Sequence, residues 1–263
     1  MQKNCKVAEN EASKKLTINL HQKSKITDLF TFKFLNVMET TNKTKIYNVI
    51  ILDKSGSMSS IAKQAVDGVN ETLGGIRSSQ LKDPSQDNYV TLVAFCGCEL
   101  RTIFDNVPIA EVRDITPNDY RPCCMTPLYD AVGTTITRLR PIVEQDKGSA
   151  AAVTIITDGY ENASREYSGK AIKELIEQLK NQGWLFAYIG ADHDVEKVAA
   201  QMSIDNSLQF DKTEAGTKAM FERQSSSRSH WAFLRSKLSK ENFDSEEDRQ
   251  EAERNINSNY FNL

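Results

Sequence analysis

Three oxygen-bearing side chains at alternate positions, Asp53, Ser55 and Ser57, follow directly on the apolar run Asn48-Val-Ile-Ile-Leu. One carboxylate and two hydroxyls make a hard, oxygen-only set of low charge, suited to a Mg²⁺-like ion that keeps some of its waters. The β-branched run before them reads as a buried parallel strand, because both of its faces must be covered. Gly56 lets the backbone turn tightly, and the serines from Ser57 to Ser60 suit the cap of a helix that begins there. The three side chains are therefore expected on a loop at the carboxyl end of a strand, where open α/β sheets hold their ligands. Taken alone, such a triplet is more often a capped turn than a metal site.

The elements that must position this loop are legible from periodicity. Ile61, Ala65, Val69, Leu73 and Ile76 recur at helical spacing and predict a helix over 58–79, weakened at Gly74-Gly75. Residues 89–95 and 99–107 read as a hairpin through the Cys96-Gly97-Cys98 turn, with an antiparallel strand at the sheet edge. Pro127 suits the first turn of a helix that buries Leu128, Ala131, Val132, Ile136 and Leu139, and Pro141 is expected to limit it. Residues 150–157 form a second continuous apolar strand, ending at Asp158. A helix carrying Ile172, Ile176 and Leu179 should stop at Gly183. A strand over 184–189, a short helix over 192–202 and an edge strand over 207–210 follow. This alternation predicts a doubly wound, mostly parallel, Rossmann-like α/β sheet with one antiparallel edge strand and helices on both faces.

The Asp53-Lys-Ser55-Gly-Ser57 segment resembles the Asp-x-Ser-x-Ser signature of the von Willebrand factor A (vWA) family. Met125-Thr126-Pro-Leu-Tyr-Asp130 is similar to that family's threonine loop, and Ile155-Ile-Thr-Asp158-Gly159 to its aspartate-bearing strand end. Three segments in the expected order are more specific than any one of them. The resemblance covers about residues 46–210 and implies a metal-ion-dependent adhesion site. In it Ser55, Ser57 and Thr126 coordinate through hydroxyls, while Asp53 and Asp158 act largely through bound water. The implied ion is Mg²⁺, with Mn²⁺ or Ca²⁺ as substitutes, and its open position accepts an Asp or Glu of a partner protein. A protein-interaction module rather than an enzyme follows, of a bacterial or phage type to which the Ile189-Gly-Ala-Asp-His-Asp194 turn also bears some likeness.

Three domains are expected: a lysine-rich, flexible arm over 1–45, the vWA domain over 46–210, and a helical extension with a polar tail over 211–263. The arm carries nine lysines against four acids, and Met38 is a candidate true start within it. The extension should be helical to about Leu238 but broken by the polar run from Gln224 to His230. The net charge of -3 predicts no general attraction to nucleic acid, and no run approaches the roughly 20 apolar residues of a membrane span. With no signal-type apolar core after the amino terminus, the expected location is the cytoplasm.

An enzyme reading competes with binding. An aspartate at a strand end beside Mg²⁺ also describes phosphohydrolases of the haloacid dehalogenase type, with Asp53 as nucleophile. Those enzymes usually carry a second aspartate two residues on, where this chain has Ser55. His21, His193 and His230 enter no catalytic order, and His193 reads as a polar loop residue, with Asp192 and Asp194 adding charge or capping a helix. Tyr120, Arg121 and Tyr129, near the threonine loop, are candidate partner contacts with packing as the stronger expectation. The five cysteines are odd in number, so a disulfide framework is not expected. Cys96, Cys98, Cys123 and Cys124 gather toward the metal face as Zn²⁺ ligands, a redox pair or, by preference, small apolar packing residues.

Overall fold

The computed structural model describes residues 43–146 and 148–262, so residues 1–42 of the lysine-rich arm, Met38 among them, lie outside the described residues, while Thr44 and Lys45 open the first strand. In chain order the elements are β1 (Thr44–Asp53), α1 (Ala62–Lys82), β2 (Gln86–Cys96), β3 (Glu99–Pro108), α2 (Leu128–Gln145), β4 (Ala150–Thr157), α3 (Gly169–Asn181), β5 (Leu185–Gly190), α4 (Val195–Gln201), β6 (Asn206–Gln209), α5 (Glu214–Leu238) and α6 (Glu246–Ser258). Short 3-10 turns occupy Gly56–Ile61, Ile109–Glu111 and Tyr260–Asn262.

The six strands lie in the order β3-β2-β1-β4-β5-β6. All neighbours are parallel except β2 and β3, which form the expected antiparallel edge pair. Strand order reverses between β1 and β4, and a crevice therefore opens between their carboxyl ends. Asp53 closes β1 and Asp158 follows β4, one on each side of that crevice.

Side chains alternate along the central strands into two apolar layers. Val49, Ile51, Val153 and Ile155 share one layer with Val132 and Ile136 of α2, Ile176 of α3 and Val198 of α4. Ile50, Leu52 and Leu92 share the other with Val69 and Leu73 of α1 and with Met220 and Phe221 of α5. A third cluster joins Trp231 of α5 and Tyr260 to Ile46 and Leu185. Residues from Thr44 onward thus make one compact unit that includes the segment 211–263. No described helix is long and apolar enough to cross a membrane.

Three local expectations are corrected. Helix α1 runs to Lys82 without weakening at Gly74-Gly75. Two of the α1 glycines serve packing: a Cβ on Gly68 would fall 2.0 Å from the Phe221 ring, and one on Gly75 2.6 Å from Ser225 Oγ, where α5 crosses, whereas a Cβ on Gly74 would meet open space. Helix α2 continues through Pro141 to Gln145. The proline forfeits one i→i−4 bond, but Leu139 and Val143 on either side are both buried and hold the two halves in line. Helix α5 is unbroken over its polar stretch, because Gln224, Ser227 and Arg228 are buried against polar side chains rather than turned to solvent.

Candidate functional site

Each turn that leaves the carboxyl edge of the sheet delivers an oxygen to one place. The Ser55 N–H donates to Asp53 Oδ1 over 2.6 Å, and the Thr157 hydroxyl donates to Asp53 Oδ2 over 2.7 Å. The Ser55 and Ser57 hydroxyls are 3.1 Å apart, and Ser57 Oγ donates to Asp158 Oδ1 over 2.6 Å. Thr126 faces the same point: a Cβ on Gly159 would lie 3.9 Å from Ser57 Oγ and 4.0 Å from Thr126 Oγ1. The fold therefore brings Asp53, Ser55, Ser57, Thr126 and Asp158 together. All but Ser57 are buried, Asp53 completely, so the cluster opens to solvent through the Ser57 hydroxyl.

Burial of an anion has a cost that the site does not cancel by itself. Desolvation pushes the Asp53 carboxyl up to about 6, against the hydrogen bonds from Thr157 and Ser55, and the charge of Asp158 adds to the rise. Two carboxylates and three hydroxyls converging in a buried pocket fit a hard divalent cation in charge and in donor type. They fit a haloacid dehalogenase nucleophile poorly. Both Asp53 oxygens are engaged within the protein and none faces outward to attack a phosphorus.

The positions of these groups are set by neighbours that pattern reading missed. The Asn162 side-chain Oδ1 accepts from the Thr126 N–H over 2.9 Å while the Asn162 backbone N–H donates to the Thr126 carbonyl over 3.1 Å. Glu161 accepts from the Tyr129 N–H, and Asp130 accepts from the N–H groups of Arg165, Glu166 and Tyr167, lacing the loop after Asp158 to the start of α2. The Tyr120 hydroxyl donates to the Asp53 carbonyl over 2.6 Å, so this residue is a buried brace rather than a contact for a partner. Tyr129 packs partly buried on the core, and Arg121 is exposed beside Asn118.

The least expected neighbour is Lys212, between β6 and the Thr213 cap of α5. Its ammonium is 2.5 Å from Asp158 Oδ2 and 3.5 Å from Asp192 Oδ2. The available signal was topological: every segment that follows a parallel strand of this sheet begins at the same edge. His193 is buried between the Tyr188 hydroxyl, 2.9 Å from Nε2, and the Ala191 carbonyl, 2.5 Å from Nδ1. Asp194 caps α4 by accepting from the Lys197 N–H.

The cysteine expectation is corrected as well. Cys98 and Cys124 are joined by a disulfide, and the free thiols of Cys96 and Cys123 lie 3.3 Å apart. The hairpin turn after β2 packs on the loop before Thr126, which counting cysteines along the chain does not reveal. Backbone bonds from the Cys123 N–H to the Lys54 carbonyl and from the Gly56 N–H to the Cys124 carbonyl tie that loop to the Asp53–Ser57 turn.

No protein-family model matches the chain, and no curated protein matches it. Solved structures share its fold. The pilus adhesin SpaC from Lactobacillus rhamnosus GG, in an open conformation, aligns with a TM-score of 0.52 at 15% identity over 73% of this chain and 31% of that one. The vWF domain of the type V pili tip protein Mfa5 from Porphyromonas gingivalis aligns with a TM-score of 0.51 at 10% identity over 71% of this chain and 95% of that one. Proximal thread matrix protein 1 from the mussel byssus aligns with a TM-score of 0.49 at 12% identity, over 68% of this chain and 45% of that one. The chain thus spans less than half the length of the adhesin and of the thread protein. Strand order, the antiparallel edge pair and the alignments with the adhesin and the pilus-tip domain together define a von Willebrand factor A-like α/β fold.

Proposed function

We propose that the carboxyl edge of the sheet binds a divalent cation, Mg²⁺ with Mn²⁺ or Ca²⁺ as substitutes, and that the protein uses it to hold an Asp or Glu of a partner protein. The observation that carries this reading is the buried convergence of the Asp53 and Asp158 carboxylates with the hydroxyls of Ser55, Ser57 and Thr126. The three hydroxyls are the groups free to meet an ion directly. Asp53, whose oxygens are held by Ser55 and Thr157, acts through water. The ion supplies a Lewis-acidic position open to an incoming carboxylate.

The chain's own residues do the positioning. Thr157 and the Ser55 N–H fix the Asp53 rotamer, Asn162 fixes Thr126, and Ser57 links the first loop to Asp158. The surroundings favour a macromolecular partner. Met125, Tyr160 and Leu100, exposed by 54, 55 and 39%, lie on segments at this edge, giving a polar centre with apolar neighbours. The test is calorimetric titration of Mg²⁺ and Mn²⁺ into metal-stripped protein. One saturable site, lost in Asp53→Ala and in Ser55→Ala/Ser57→Ala, is the expected result; folded wild-type protein that binds neither ion overturns the reading.

A further inference from the structure

A second group of ligand atoms lies beside the oxygen cluster, and it is made of sulfur. Cys96 and Cys98 flank the tip of the β2–β3 hairpin, and Cys123 and Cys124 lead into the Thr126 loop. The sulfurs of Cys96, Cys98 and Cys123 lie within 4.8 Å of one another, and the Cys124 sulfur, bonded to Cys98, lies next to that group. The two segments are held together by backbone as well, since the Gly97 N–H donates to the Met125 carbonyl over 2.7 Å. A tetrahedral tetrathiolate with metal–sulfur bonds of about 2.3 Å needs four sulfurs roughly 3.8 Å apart. The Cys96–Cys123 separation of 3.3 Å and the 4.8 Å limit bracket that spacing.

We propose that, when the Cys98–Cys124 disulfide is reduced, Cys96, Cys98, Cys123 and Cys124 bind one Zn²⁺ as a tetrathiolate. A dithiol reductant gives two electrons and two protons to the disulfide and leaves as its own disulfide, which frees both thiols. Zn²⁺ then displaces four thiol protons to solvent, and the site carries a charge of -2. The buried ammonium of Lys54, one residue after Asp53 and paired with Glu99, offsets part of that charge. Three mutually close sulfurs with a fourth bonded to one of them distinguish this cluster from isolated disulfides, which need sulfurs only in pairs. The same sulfurs thus have two states, a covalent link in an oxidising setting and a zinc staple in a reducing one. Either state clamps the turn carrying Asp53, Ser55 and Ser57 to the loop carrying Thr126, through the Lys54–Cys123 and Gly56–Cys124 backbone bonds. This site uses no ligand of the oxygen cluster, so the two are tested separately.

The full chain is reduced with a dithiol, freed of excess reductant, exposed to Zn²⁺, desalted and assayed for zinc, with a parallel sample loaded with Co²⁺. The expected result is one retained zinc per chain and, for cobalt, thiolate-to-metal charge-transfer bands with tetrahedral d–d absorption. Cys96→Ser and Cys124→Ser should each weaken binding at least 100-fold, whereas Asp53→Ala should leave it within twofold. The oxidised chain should retain no zinc. A reduced wild-type chain with all five thiols titratable and a native circular dichroism spectrum that retains no zinc overturns the proposal. So do zinc retention that survives both serine variants, and two native disulfides, Cys98–Cys124 and Cys96–Cys123, that resist the dithiol. If a serine variant does not fold, the wild-type cobalt spectrum alone decides, because oxygen or nitrogen ligands give no such charge-transfer bands.

Discussion

Strand β1 carries two polar side chains into an otherwise apolar core, Asn48 in its middle and Asp53 at its end, and the chain treats them in opposite ways. Asn48 belongs to a network sealed beneath α5. Its Oδ1 accepts from Arg228 over 3.0 Å, its Nδ2 donates to Asn88 over 3.1 Å, and the second arm of Arg228 reaches the Thr154 hydroxyl. Burial pulls the Arg228 pKa down, and its two terminal nitrogens meet the neutral oxygens of Asn48 and Thr154. Asp53 belongs to a cluster of anions and hydroxyls that reaches solvent at Ser57, and burial pushes its carboxyl up to about 6. One network closes within the chain except at Arg228 Nε, which has no hydrogen-bond partner among the described residues. The other leaves a buried negative charge to be completed from outside, which is the physical mark of a binding site rather than a packing solution.

The largest effect should come from breaking the sealed network. Arg228→Ala leaves the Asn48 Oδ1 without its Arg228 donor, leaves Thr154 with the long bond from Gln224, and opens a cavity, so it should lose about 3–5 kcal/mol in urea denaturation. Arg228→Met removes the charge while keeping most of the volume and should lose clearly less. Calorimetry on either folded variant should return a Mn²⁺ affinity within twofold of wild type. A folded Arg228→Ala protein that no longer binds Mn²⁺ would show that the two networks are not separate.

The contrast also explains what the sequence made legible. The apolar runs of β1 and β4 and the Asp and Ser residues at their ends carry the fold and four of the five converging side chains, because a two-sided apolar strand and its end are one-dimensional signals; the fifth, Thr126, precedes α2. The continuity of α5 was hidden because Gln224 and Arg228 face a polar interior supplied by Asn48, Thr72 and Thr154, which lie far away in sequence. Lys212 was hidden for the same reason, since its partners Asp158 and Asp192 come from other turns. Hydrophobic periodicity records which side chains avoid water, and it is silent on which polar side chains meet each other.

Asp53→Asn tests the unfinished network from the other side. It should weaken Mn²⁺ binding at least 100-fold, about 3 kcal/mol at 1.4 kcal/mol per tenfold. Without metal it should instead stabilise the fold at pH 7. Folded Asp53 keeps its proton to about pH 6, whereas the ordinary value is 3.8. Between those values the folded state binds more protons than the unfolded state, so this group's contribution falls as pH rises through the window and stays low above it. At 1.36 kcal/mol per unit the loss is roughly 3 kcal/mol for the stripped protein. Urea midpoints at pH 4.5 and 7 should therefore converge on adding saturating Mg²⁺ and in the Asn variant. Asp83, held down to about 2 by Ser85 and Ser236 despite partial burial, contributes its opposite slope only below about pH 4, outside this window.

Lys212 gives the smallest and most discriminating change. Its ammonium lies 2.5 Å from Asp158, on the very group that completes the oxygen cluster, so it partly neutralises the charge that a divalent cation would meet. At an effective dielectric near 20, an ammonium held fixed on Asp158 would repel a divalent cation bound by the same cluster by several kcal/mol. Side-chain reorientation toward Asp192 should reduce this to about 1 kcal/mol. Lys212→Gln should accordingly bind Mn²⁺ about fivefold more tightly in calorimetry and lower the metal-free stability slightly, by exposing Asp158 to an unpaired burial. An unchanged affinity would mean that the lysine swings fully clear when metal arrives, and a weaker one would mean that it braces Asp158 rather than competing for it. Either of those outcomes would remove Lys212 as a competitor for the cation and leave the contrast between Asn48 in the middle of β1 and Asp53 at its end unchanged.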